Sequence, residues 1–106
     1  MSALMEAQLP FLELLSSSSK AQRLHLIGSM SGQQLKALCE VFVNIRYGYI
    51  PVSDSIKNKL QKKSDIISQL TTKSITQKKR KKLIEQEVHL LITTLKVVLP
   101  FLKTKV

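Results

Sequence analysis

The sequence predicts an all-α fold, a compact bundle of five or six short helices with a long C-terminal helix. Three observations lead there. Apolar residues recur at spacings of three and four, and no sustained alternation reads as a strand. Glycine and proline are scarce, three of each in 106 residues, so few breaks fall inside the apolar runs. Serine is followed three residues later by glutamine at 19/22, 31/34 and 74/77, the pattern of a helix capping box.

The elements follow in order. Residues 4–15 form a first apolar segment through Leu4, Leu9, Phe11, Leu12 and Leu15, which Pro10 splits unless it sits near a helix start. The serine run 16–19 suits a loop that ends in a cap. Ser19 and Gln22 then open a helix to about Gly28, with Leu24, Ile27 and Leu26 candidates for its inner side. Ser31 and Gln34 open the clearest helix, 32–47, whose stripe is Leu35, Leu38, Cys39, Phe42 and Ile45. Gly48 is placed to end it in a left-handed conformation, Tyr49 to fold back on Val43, and Pro51 to prevent continuation.

Ser53 caps a basic helix, 54–62, that buries only Ile56 and Leu60. It runs on through Ile66, Ile67 and Leu70 or breaks near Ser64. Ser74 and Gln77 open the long helix, from Ile75 towards Leu99. After its first turns, QKKRKK, it carries Ile84, Val88, Leu91, Leu95, Val98 and Leu102 at alternating spacings of four and three. That is a coiled-coil-like seam, widened by Ile92 and Leu99. Pro100 kinks or ends it.

A chain of 12.0 kDa folds to roughly 6,000 Å² of surface from roughly 17,400 Å² unfolded. That supports one domain, 1–106, and no catalytic cleft between domains. Within it, 1–50 supplies core helices, 51–82 a basic segment and 83–106 an apolar C-terminal helix. Charge draws the same boundaries. The net charge is +10. Residues 1–50 and 83–106 each contribute +1, and 51–82 contributes +8, from ten basic and two acidic side chains.

Those ten, Lys57, Lys59, Lys62, Lys63, Lys73, Lys78, Lys79, Arg80, Lys81 and Lys82, are the candidate site. Phosphates need many cations at adaptable spacing, and lysines on short helices supply them without base specificity. The plain alternative is a solvated helix face. A net of +8 in 32 residues repels itself unless counter-charge arrives, which favours a polyanionic partner, above all nucleic acid. Residues 78–82, KKRKK, also read as a nuclear-localisation cluster, bipartite if Lys62 and Lys63 join it. The protein is accordingly expected in the nucleus, and otherwise in the cytoplasm.

Other readings are narrower. Cast as a DNA-recognition helix, 32–47 offers only Lys36, Asn44 and Arg46 as readers, with Glu40 opposing phosphate, so core packing is the better reading. Tyr47 and Tyr49 flank Gly48 and either stack on bases or, as expected here, close a helix end over the core. The seam Ile84, Val88, Leu91, Leu95 and Val98 is core first, a dimer or helical-partner surface second, and a membrane-surface helix third. Catalysis finds no footing. His25 and His89 are isolated, Cys39 lies on the apolar stripe, and no phosphate loop or metal-ligand spacing occurs. No enzyme activity, cofactor, metal or small-molecule substrate is expected, and a single cysteine forms no internal disulfide. The N-terminus has no basic region of the kind that opens a cleavable signal.

The stretch 20–63 carries a further pattern. Gln22-Arg23 opens a helix, and Gln34-Leu35-Lys36-Ala37-Leu38-Cys39-Glu40 follows. Next come Asn44, the Gly48 turn, and Ile50-Pro51-Val52-Ser53 before a lysine-studded helix. Beyond that stretch, Lys78–Lys82 runs into Leu83-Ile84. Over roughly residues 18–86 this resembles the small basic proteins of Polinton/Maverick-type and adintovirus-like DNA elements. The resemblance implies a DNA-associated protein of a virus-like element and carries over no catalytic residue. The chain departs from it at the end. Glu85, Glu87 and a helical seam stand where such proteins often continue with a Gly-rich apolar tail.

Overall fold

Seven helices run through the computed structural model, which describes residues 2–72 and 74–105. They are α1 (Ala3–Ser17), α2 (Lys20–Gly28), α3 (Gly32–Arg46), α4 (Asp54–Lys62), α5 (Ser64–Leu70), α6 (Gln77–Gln86) and α7 (Val88–Lys103). No strand occurs among the described residues. The folded surface is 6186 Å². The radius of gyration is 12.6 Å, near the ~13 Å typical of about 100 residues.

Local chemistry sets the helix starts. Ser19 and Ser31 form complete capping boxes with Gln22 and Gln34, satisfying N–H groups that a first turn leaves unpaired. Ser53 caps α4 by accepting from the Ile56 N–H. Gly48 adopts φ +80°, the left-handed state that costs a side-chain-bearing residue about 1–2 kcal/mol. The 74/77 pattern does not form. Thr76 caps α6 instead, accepting from the Lys79 N–H at 3.2 Å. Gln77 has another task, because its amide end lies 2.9 Å from where a Cβ on Gly32 would stand. It therefore packs over the start of α3.

Packing carries α1 and α7 through their prolines. Leu9, Phe11 and Leu12 are buried on both sides of Pro10, and Leu99 and Leu102 on both sides of Pro100. Each proline is exposed, as are Glu6 and Lys96 four residues earlier. The carbonyl that each proline leaves without a helical donor thus belongs to a residue on the solvent side. Neither proline ends its helix.

The expected single long helix is divided at Glu87, whose backbone (φ −117°, ψ 27°) departs from helical values. This break and the one at Lys63 raise the helix count to seven. The Glu87 carboxylate lies 3.1 Å from the Lys63 ammonium at the end of α4. The apolar line continues across the break. Ile84, Leu91, Leu95, Val98 and Leu102 are buried, with Val88 half-buried.

α1 packs on α3 and α7, while α6 touches α2, α3, α5 and α7. Ile56, Leu60, Ile67, Leu70, Leu83 and Ile84 join one core with the stripe of α3. The basic segment is thus built into the bundle rather than extended as an arm. Two inward assignments are corrected. Leu24 is 54% exposed, and Ile27 is the buried residue of α2. Tyr49 does not fold back on Val43. Ile50 takes the place in the core, and both tyrosines that flank Gly48 face solvent.

Candidate nucleic-acid interface

The cationic segment begins on α4. Ile56 and Leu60, one turn apart, fix its inner side. Lys57, Lys59, Lys62 and Lys63 are exposed. Lys59, Lys62 and Lys63 line a hollow with His89, Leu90 and Glu87 of the α6–α7 junction. Lys57 lies on the other flank of α4, in a groove of about 480 Å³ that it shares with Arg46 of α3 and Asp65 of α5. α4 therefore divides its lysines between two surfaces.

On α6 the run Lys78–Lys82 sorts by helical angle. Leu83 and Ile84 are buried. Arg80 stands three residues before Leu83 and four before Ile84, so it lies above both on the inner side. It is half-buried. Its guanidinium donates to the Thr72 carbonyl, and its Nε is buried with no hydrogen-bond partner. Lys81 is half-buried, and its ammonium donates to the Gly28 carbonyl at 3.3 Å, the favourable place for a cation at the C-terminal end of α2. Lys78, Lys79 and Lys82 share the opposite side and are exposed. Two members of the cluster thus hold neighbouring segments, and three present charge outward. The spacing of Arg80 from Leu83 and Ile84 is the signal in the sequence that separates them.

Carboxylates neutralise little of this surface. Among the described residues the ion pairs are Lys63–Glu87 and Lys103–Glu13. Lys57, Lys59, Lys62, Lys78, Lys79 and Lys82 are exposed with no carboxylate oxygen within 4.0 Å among those residues. Lys73, also a candidate, lies outside the described residues.

The competing surfaces are occupied. α3 has Leu35, Ala37, Leu38, Cys39, Val41 and Phe42 buried, and its outer side exposes only Gln33, Lys36 and Arg46, with Glu40 half-buried among them, so it offers few groups that could read bases. The proposed partner seam is likewise inside the molecule. Ile84, Leu91, Leu95 and Val98 are each 2% exposed or less, and half-buried Val88 packs against the same cluster. A chain this small has too little other apolar surface to leave that line uncovered. Burial pushes the Cys39 thiol up to about 11, against a smaller downward pull from Arg80, so the neutral, unreactive form prevails near neutrality. No helix of the described residues is long and apolar enough to cross a membrane. No group of three His, Cys, Asp or Glu side chains among them is placed to hold a metal ion.

Sequence reasoning undervalued three residues at this surface. Arg46 donates from Nη1 to Thr71 Oγ1 at 3.0 Å, which fastens the end of α3 to the end of α5. Tyr47 and Tyr49 stand beside it, exposed. The signal for the tyrosines was available. Ile50 immediately follows them, is more apolar, and is the better competitor for a buried place. No protein-family model matches the chain, and no curated protein or solved structure matches it either.

Proposed function

We propose that this protein binds nucleic acid through its phosphate backbone, with little regard to sequence and without catalysis. We also propose that it serves as a DNA-associated, packaging-type protein of a virus-like element. One observation carries the first reading: six exposed lysines on α4 and α6 have no carboxylate partner among the described residues. Unneutralised cations on short helices match phosphates at variable spacing and gain from counterion release. The outer side of α3 exposes only Gln33, Lys36 and Arg46, and Arg46 already donates to Thr71, which leaves little with which to read base edges. The second reading rests on the resemblance of roughly residues 18–86 to small basic proteins of such elements, which also suggests a nuclear or virion location.

A binding comparison tests this. Labelled duplexes of unrelated sequence should bind within about threefold of one another, because phosphate contacts carry no sequence information. Replacing Lys78, Lys79 and Lys82 by Gln should weaken all of them alike. A strong preference for one sequence, or tight binding to anionic vesicles with none to DNA, would overturn the reading.

A further inference from the structure

We propose that Tyr47 and Tyr49 form a stacking platform for unpaired bases, so that the preferred ligand is single-stranded nucleic acid. This rests on the nucleic-acid reading above and names the strand form that the protein prefers.

Exposure is the first observation. Tyr47 and Tyr49 are 66% and 75% exposed, the two highest values among the large hydrophobic side chains outside the core. Their turn is fixed rather than loose. The Tyr47 N–H donates to the Val43 carbonyl at 3.1 Å, and the Gly48 N–H to that of Ile45 at 3.1 Å. The Tyr49 and Ile50 N–H groups both reach the Asn44 carbonyl, at 2.8 and 3.2 Å. Gly48 makes the left-handed step between the tyrosines, and Ile50 anchors the far side in the core. Two large aromatic rings are thus held in water on a preorganised backbone. Tyrosine has few side-chain torsions to order, so contact through it costs little entropy.

Position is the second observation. Arg46, the residue before Tyr47, donates to Thr71, and Arg80 in the first turns of α6 donates to Thr72. Two arginines on two helices therefore grip consecutive threonines. Beside the turn, Arg46 lines a groove with Lys57, and Tyr49 lines a hollow with Lys105, so cations stand next to both rings. Rings that stack on bases beside cations that pair with phosphates are the two parts of a single-strand groove. A duplex keeps its base faces stacked internally and offers such rings nothing.

The chain has no tryptophan and only these two tyrosines, so its intrinsic emission reports on this turn alone. The full-length protein is titrated with a thymidine oligonucleotide of about 20 nucleotides and with a duplex of equal length, and emission and anisotropy are followed together. The single strand should quench the tyrosine emission strongly and the duplex weakly. Tyr47→Ala and Tyr49→Ala should each lower single-strand affinity by roughly 5- to 150-fold, the range of one lost base stack, and leave duplex affinity unchanged. Tyr47→Phe and Tyr49→Phe should retain single-strand affinity. Circular dichroism confirms that each exposed-site variant stays folded. Equal binding of both forms without quenching overturns the platform and leaves phosphate binding standing. Failure to bind either form overturns both readings.

Discussion

Arg80 and Lys78 are two residues apart in one basic run and do different work. The Arg80 guanidinium reaches the Thr72 carbonyl from above Leu83 and Ile84, whereas Lys78 stands in water. Arg80→Gln should therefore destabilise the fold by about 0.5–1.5 kcal/mol, the usual net contribution of one intramolecular hydrogen bond, since water can replace the guanidinium at the exposed Thr72 carbonyl. Lys78→Gln should stay within about 0.5 kcal/mol, as surface changes do. Chemical denaturation of the two variants checks this. Cys39 gives a second test at the same scale. Its thiol is raised from 9.0 to about 11 in the fold, chiefly by burial. The folded state therefore holds its proton more tightly than the unfolded one. The associated stability is intact below about pH 9 and falls as pH rises towards about 11. A Cys39→Ala variant should lose that part of the alkaline decline. At pH 8 the wild-type thiol should react with a thiol reagent only as fast as the protein opens.

At the scale of the element, local rules were legible wherever local chemistry had no rival. Ser19, Ser31, Ser53 and Gly48 hold the places that their side chains, or the lack of one, predict. The pattern at Ser74 was equally good on paper. It failed because Gln77 packs over Gly32, and Thr76 was available to cap. The break at Glu87 was not legible, since neither proline nor glycine marks it. It coincides with a contact to Lys63, 24 positions earlier in the chain, and no local pattern contains that information. The tyrosines were the opposite case, since the more apolar Ile50 beside them marks which residue takes the place in the core. Gly48→Ala tests the turn directly. It should cost about 1–2 kcal/mol, because φ +80° opposes a Cβ. Thermal unfolding would measure it.

Across the whole molecule, the apolar C-terminal helix and the basic segment are parts of one core rather than two modules. Leu91, Ile92, Leu95, Val98, Leu99 and Leu102 belong to one core to which every other helix contributes, and α7 packs chiefly on α1, α4 and α6. Deleting residues 88–106 should therefore abolish cooperative unfolding by circular dichroism, and DNA binding should fall only as a consequence. The candidate site was legible as a segment, since +8 lies between residues 51 and 82. Its division into outward and inward cations was legible only in part, because the spacing to Leu83 and Ile84 marks Arg80 as inward and nothing local marks Lys81. Only the fold brings Lys81 to the Gly28 carbonyl, 53 positions earlier in the chain.

The salt dependence of duplex binding tests the central claim most directly. A duplex that meets Lys59 and Lys62 on one flank of α4 together with Lys78, Lys79 and Lys82 of α6 makes five phosphate contacts and predicts a log–log slope of about −4.5 on B-DNA, at about 0.9 per contact. Removing Lys78, Lys79 and Lys82 as glutamines should bring the slope to about −1.8 and leave the fold intact. A wild-type slope near zero, or one that the triple variant leaves unchanged, would contradict the account.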